Sequence, residues 1–170
     1  MIKFKKFTRR DITKVMSWKE GEDFMLDDKG FPDIFFLTWR STFTDTLANK
    51  NKIAFMAIEL ATKETVGYCE GERTGRSFKL DLALIGDKQK RGKGLGLSLV
   101  KTFVTFVFQN TGCSKISLDV FDLNVEAIKC YEKAGFKIDP KKAMEITFGA
   151  CSWQVSVMVL NLKTWQKNQF

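Results

Sequence analysis

An alternating apolar run, Phe78 to Ile85, leads through Arg91-Gly92-Lys93-Gly94-Leu95-Gly96 into a long amphipathic segment. This succession of strand, glycine-rich turn and helix constrains the fold more than any other stretch. Leu95, Leu99, Phe103 and Val107 form one stripe, with Val100, Val104 and Phe108 beside it, so a helix over 95–110 buries one broad face. Thr111-Gly112 stops it. The glycines set bare backbone N–H groups at the helix start, where the dipole adds partial positive charge and no Cβ holds a ligand away. Lys88, Lys90, Arg91 and Lys93 add cationic charge to the same loop. A phosphate-bearing ligand is expected there.

Two common phosphate loops are excluded by spacing. No Gly-Lys pair is followed by Ser or Thr, as a Walker A loop requires. Gly92, Gly94 and Gly96 are one residue too close for the dinucleotide fingerprint G-x-G-x-x-G. The pattern that fits is R-x-x-G-x-G, read as Arg91, Gly94 and Gly96, or Q-x-x-G-x-G, read as Gln89, Gly92 and Gly94.

A second pattern follows. Lys115 to Val120 alternates as a short strand, and Asn124 then opens Asn124-Val125-Glu126-Ala127-Ile128-Lys129-Cys130-Tyr131-Glu132-Lys133-Ala134-Gly135-Phe136. Asn124 suits an N-cap, Ala127, Ile128, Tyr131 and Ala134 share one helical face, and Gly135 is placed as the C′ glycine. The two patterns, R-x-x-G-x-G and N-x-x-A-x-x-x-Y-E-K-x-G-F, together resemble the GNAT family of acetyl-CoA-dependent N-acetyltransferases.

The rest of the chain alternates in a compatible order. Ile2 to Phe7 reads as a strand, and Thr8-Arg9-Arg10-Asp11 as a capping-box-like start to a helix through Trp18. Glu20 to Gly30 reads as a polar loop, and Pro32 opens a second helical region to about Ala48. Ile53 to Leu60 and Val66 to Glu72 read as a hairpin around a tight turn at Lys63-Glu64. Ala143 to Phe148 and Trp153 to Leu160 read as a closing strand pair. The expected fold is mixed α/β, one domain over residues 1–170. The resemblance implies a GNAT fold: a mostly antiparallel sheet of six to seven strands, a splayed strand pair and about four flanking helices.

Composition narrows the partners. The chain has no His, and Cys69, Cys113, Cys130 and Cys151 lack C-x-x-C spacing, so no metal is expected and a His-activated nucleophile is impossible. Reduced, mostly buried thiols in a cytoplasmic protein are the expectation. No stretch approaches the length of a membrane span, and Met1 to Phe7 lacks a signal peptide's apolar core. The net charge of +8 invites nucleic acid, but its positive residues are scattered outside Lys3-Lys5-Lys6-Arg9-Arg10 and the loop at 88–93, so neither nucleic acid nor membrane is expected as a partner.

The resemblance implies specific roles. Acetyl-CoA is the expected acyl donor. Amides of roughly Arg91, Gly92, Lys93, Gly94, Leu95 and Gly96 would hold its pyrophosphate, and backbone at Leu84 and Ile85 would flank the pantetheine arm. Asn124 would bond the arm, cap the helix, or both. Tyr131 matches the tyrosine that protonates the departing thiolate; a phenol of pKa about 10 gives its proton downhill to a thiolate of pKa about 8.5. The alternative role for Tyr131 is a packed aromatic on the apolar helix face. An amine acceptor of pKa about 10.4 is neutral in only about one molecule in 2,500 at pH 7, a penalty of roughly 4.6 kcal/mol, so its proton needs a destination. Asp81 is the first candidate base and Asp119 the second, with a water relay as an alternative.

Glu20, Glu22, Asp23, Asp27 and Asp28 crowd nine residues of a basic protein. Glu22 and Asp23 are the candidates for drawing in a small cationic amine acceptor; an ordinary solvated loop would carry the same charges. Trp18, Phe24, Phe31, Trp39 and Trp153 could wall that acceptor site, or simply pack. A protein N-terminal or lysyl acetyltransferase and a non-catalytic acyl-CoA-binding module are the alternatives. Dimers are frequent in the family, and the residues leave a homodimer open.

Overall fold

The computed structural model describes residues 1–18, 43–148 and 151–167. In chain order these form β1 (Ile2–Lys6), a 3₁₀ turn (Arg9–Asp11), α1 (Ile12–Ser17), a helical segment at 43–48, β2 (Lys52–Glu59), β3 (Thr65–Thr74) and β4 (Ser77–Ile85). A 3₁₀ turn at Lys88–Lys90 leads to α2 (Leu95–Asn110), β5 (Lys115–Phe121), α3 (Val125–Lys133), β6 (Lys137–Ile138), β7 (Met144–Phe148), β8 (Cys151–Asn161) and α4 (Leu162–Lys167). The strands make one eight-stranded sheet in the order β1-β2-β3-β4-β5-β8-β6, with β7 also paired to β8. The count exceeds the sequence expectation because β6 is only two residues long and carries no periodicity to read.

Among the described strands only β4 and β5 run parallel, since α2 carries the chain back across the sheet between them; every other pairing there is antiparallel. The expected stripe of α2 is buried in full, from Leu95 to Phe108. Its Phe103 meets Phe78 edge-on at 5.7 Å between ring centres, and Phe55 stacks on Phe4 at 4.8 Å. A second cluster fills the opposite face of the sheet, where Phe7, Val15, Phe43, Met56, Tyr68 and Leu84 are buried.

The α1 start follows the sequence reading. The Asp11 carboxylate accepts from the Thr8 backbone N–H (2.9 Å) and from the Thr8 hydroxyl (2.7 Å). Trp18 covers Gly86 so closely that a Cβ there would lie 2.0 Å from the indole, which explains a glycine at the end of β4. The expected polar loop, the helical start at Pro32, and Phe24, Phe31 and Trp39 lie outside the described residues.

Candidate active site

The site begins where the parallel pair ends. Leu80 opposite Leu118 is the last β4–β5 pair; beyond it β4 stays with β3 as far as Ile85, and β5 stays with β8 as far as Phe121. The register of β3 against β4 slips at the same place, since Glu70 faces Leu82 and Gly71 faces Leu80, leaving Asp81 as the extra residue of a β-bulge. A bulge bends its strand and turns a side chain out of the regular alternation. Phe78 and Leu80 pack under α2, as do Ala83 and Ile85, while Leu82 and Leu84 face the other core. The divergence opens a cleft of about 720 Å³ between β4, β5, the start of α2 and α3.

One end of the cleft is a cradle of unbonded backbone amides. Gly92 (φ +72°) and Gly94 (φ +81°) adopt left-handed backbone, and Gly94 caps α2. The first helical bond runs from the Ser98 N–H to the Gly94 carbonyl (3.0 Å), so the N–H groups of Gly92 to Leu97 have no acceptor among the described residues. Arg91 serves otherwise than expected. Its N–H donates to the Lys88 carbonyl (3.1 Å) and its guanidinium clamps the Ile85 carbonyl (3.0 and 2.9 Å). The cradle therefore starts one residue later than the sequence suggests and extends to Leu97. Lys90 is likewise spent elsewhere, on Glu64 and Glu59 of the β2–β3 turn region. Lys93 does not line the cleft, and the Leu95 side chain points into the core, leaving only its amide for a ligand.

Strand alternation orients β4 along the cleft. The Gly86 N–H donates to Val66 of β3 (2.9 Å), whereas the Ile85 carbonyl faces Arg91. Main-chain groups of Ala83 and Ile85 therefore turn toward the gap, and those of Leu84 toward β3. Leu84 and Ile85 both line the cleft; Ala83 is the residue that sequence reasoning missed.

The other end holds the titratable groups. Asp81 borders the cleft, and the surrounding protein raises its carboxyl pKa to about 6 chiefly by desolvation, with Lys52 and Lys79 pulling it down and Glu70 and Glu72 pushing it up. Its side of the strand remains open to water, so this desolvation is incomplete. Asp119 also borders the cleft but is engaged by Lys79 at 2.7 Å. Behind Asp81, the Glu70 carboxylate is 3 % exposed and accepts from the Tyr68 and Thr46 hydroxyls, each at 2.7 Å. That buried triad has no sequence signal, because its members come from β3 and the distant 43–48 helix.

α3 forms the facing wall. Asn124 Oδ1 accepts from the Ala127 N–H (3.1 Å), which leaves its NH₂ for the cleft it lines. Tyr131 is half-buried, meets Phe136 edge-on at 6.0 Å, and has no hydrogen-bond partner for its hydroxyl among the described residues. Burial pushes its pKa up to about 12, so the phenol keeps its proton at neutral pH. The Phe136 N–H returns to the Tyr131 carbonyl (3.0 Å) around Gly135 (φ +100°), the expected helix stop. Lys129, Cys130 and Lys133 complete this wall. Cys69 and Cys113 are buried and free, and Cys130 is half-buried with its thiol pKa raised by desolvation.

The cleft thus gathers Asp81, Leu84, Ile85, Arg91, Gly92, Gly94, Gly96, Asn124 and Tyr131 from three separate segments. Glu22 and Asp23 lie outside the described residues. Trp18 covers Gly86 away from this cleft, and Trp153 is buried on β8 opposite Ile146, so neither walls it.

Comparison with known proteins identifies the family and the fold. The profile of the acetyltransferase (GNAT) family matches residues 14–136. An aminoglycoside N(6')-acetyltransferase type 1 of Klebsiella pneumoniae is 43% identical over 54 residues, 32% of this chain and 27% of that protein. A probable spermine N(1)-acetyltransferase of Bacillus subtilis subsp. natto is 35% identical over 72 residues, 42% of this chain and 46% of that protein. The chain thus spans less than half the length of these curated relatives. Among solved structures, an aminoglycoside acetyltransferase in complex with coenzyme A aligns with a TM-score of 0.76 at 20% identity over 100% of both chains. A spermidine N-acetyltransferase from Vibrio cholerae in complex with CoA and spermine aligns with a TM-score of 0.71 at 18% identity, over 97% of this chain and 98% of the other. These likenesses extend the fold match across the chain.

Proposed function

The chain belongs to the acetyltransferase (GNAT) family, and from that premise we propose that it transfers the acetyl group of acetyl-CoA directly to a primary amine of a small cationic molecule. The observation that carries this reading is one continuous cleft. Unbonded amides stand at one end, a strand edge runs along it, and Asp81 and Tyr131 share its lining. The pyrophosphate sits on the Gly92–Leu97 amides, and the arm runs beside Ala83 and Ile85 as an added strand. The Asn124 NH₂ donates to an arm carbonyl.

The chemistry then follows from the two pKa shifts. Asp81, raised to about 6, is a stronger base than an ordinary carboxylate yet is ionised at pH 7. It receives the ammonium proton, directly or through water, and frees the nitrogen lone pair to attack the thioester carbon. Tyr131 donates its phenolic proton to the leaving sulfur as the tetrahedral intermediate collapses. The acetamide and free CoA are the products, and solvent returns a proton to Tyr131.

Acidic surroundings support a cationic acceptor. Asp81 and Asp119 border the cleft with Glu70 and Glu72 close behind, against Lys52 and Lys79. The named activities of the relatives, on aminoglycosides and spermine, support the same class. Glu22 and Asp23 are proposed, on sequence charge alone, to add to that attraction. The test is thiol release from acetyl-CoA with polyamines, aminoglycosides, amino acids and short peptides. Turnover confined to small polycations is the expected result; turnover on peptides alone would overturn the acceptor class. Acetyl-CoA binding without any turnover would overturn catalysis.

A further inference from the structure

We propose that Glu70 is a positioning residue of this site, whose buried carboxylate stands opposite Asp81 across the bulge and holds it ready as the proton acceptor. This rests on the reading of Asp81 as the base, and it gives the buried triad a task that folding alone does not require.

The register fixes the geometry. Leu80 packs under α2, while Leu82 and its partner Glu70 lie on the other face of the sheet. Asp81 follows Leu80 and alternates away from it, which brings it to the Glu70 face beside Leu82. A bulge sets two residues against one, and here Asp81 and Leu82 both stand against Glu70. Like charges on directly opposed cross-strand residues repel.

The Glu70 charge is left uncancelled. Its two hydroxyl donors, Tyr68 and Thr46, both reach Oε2, and Oε1 has no donor among the described residues. Glu72 on the same face lies opposite Lys52 and accepts from the Asn49 side chain at 3.0 Å, and Lys79 is drawn to Asp119 at 2.7 Å. Neither Glu70 nor Asp81 has an ion-pair partner among the described residues. A buried carboxylate with one oxygen unserved costs the fold stability. Opposite a base, the same charge favours the protonated carboxyl and strengthens its hold on a proton. Desolvation is the largest cause of the raised Asp81 pKa; among the charges, Lys52 and Lys79 oppose the rise, and Glu70 leads Glu72 in adding to it. Asp119 and Tyr131 complete the titratable groups around the cleft at this end. Burial and then the Glu70 charge push the Tyr68 phenol upward, so it stays a donor to this carboxylate.

The test follows the Asp81 carboxyl itself by ¹³C NMR of aspartate-labelled, ligand-free protein, with Asp81→Asn identifying its resonance. Wild type should titrate near 6. Glu70→Gln should lower the midpoint by about 0.5–1.5 pH units, the span for one charge at cross-strand distance between water-like and protein-like screening. Glu70→Asp keeps the charge and should keep the midpoint near that of wild type. Glu70→Met removes the charge without adding an amide and stands in if the glutamine variant fails to fold. Glu72→Gln should move the midpoint less, because Lys52 and Asn49 already engage Glu72. The acidic limb of kcat/KM, read by thiol release from acetyl-CoA with spermine, should move down together with the midpoint in Glu70→Gln. An unmoved midpoint in a folded Glu70→Gln or Glu70→Met protein would overturn the proposal. If Asp81→Asn still abolishes the limb in that case, only the role of Glu70 is lost. A midpoint that moves while the limb stays removes Asp81 as the base, and the role of Glu70 with it.

Discussion

Gly96→Ala separates the needs of the ligand from the needs of the fold. Gly96 is the second residue of α2, with no left-handed backbone to maintain. A Cβ there meets only the Cys130 Sγ, at 3.9 Å, an ordinary contact. The unliganded protein therefore has no steric reason for this glycine. Replacing a helical glycine by alanine should stabilise the fold by about 0.5–1 kcal/mol. For a chain of this length that raises Tm by roughly 1–4 °C. The same methyl projects between α2 and α3, beside the amides proposed to receive the pyrophosphate. Loss of one N–H bond to a charged oxygen costs about 1.5–3 kcal/mol, or roughly 10- to 150-fold in affinity. Gly94→Ala supplies the contrast, because at φ +81° a Cβ strains the backbone by about 1–2 kcal/mol. Thermal melts without ligand and calorimetric titration with CoA read both effects. Gly96→Ala should melt higher and bind weaker; Gly94→Ala should lose on both counts. A Gly96→Ala protein that binds CoA like wild type would refute the placement of the anion at this helix start.

Tyr131→Phe should retain acetyl-CoA binding and lose about 10²-fold or more in turnover, measured by thiol release; unchanged turnover removes the phenol from the mechanism. With Asp81 as base, kcat/KM should rise with pH through about 6, and Asp81→Asn should abolish that limb; an unaltered limb assigns the proton to a water relay. The Asp81 pKa is raised in the folded state, so its stabilising protonated form is fully present below its ordinary value of 3.8 and is lost as pH rises through about 6. Asp81→Asn should accordingly gain in Tm over wild type as pH goes from 4 to 8, and a constant difference would contradict the desolvation. Tyr68→Phe removes one of the two hydroxyls serving the buried Glu70 carboxylate and should cost about 1–3 kcal/mol in a denaturant melt.

Local chemistry fixes much of this protein without help from tertiary structure. The stripe from Leu95 to Phe108 and the stop at Gly112 set α2 to the residue, because period and terminator are both written in adjacent side chains. The Asn124 cap, the Gly135 stop and the left-handed Gly92 and Gly94 are short-range requirements of the same kind. What the folded chain alone decides is which groups end up sharing the cleft. The even-numbered alternation Phe78, Leu80, Leu82, Leu84 reads as one face of a strand, but the bulge at Asp81 sends its two halves to opposite cores. That bulge depends on where β3 pairs with β4, a long-range choice of register that leaves no mark on the period of either strand. The same holds for Arg91, whose charge reads as a phosphate ligand until the β4 terminus is found within its reach. It holds too for Glu70, an ordinary strand carboxylate until Tyr68 and Thr46 close over it. Sequence determines the elements and their caps, because those forces act over a few residues. Burial and hydrogen-bond partners, which set the pKa of Asp81 and the free amides of the cradle, arise only when distant segments pack.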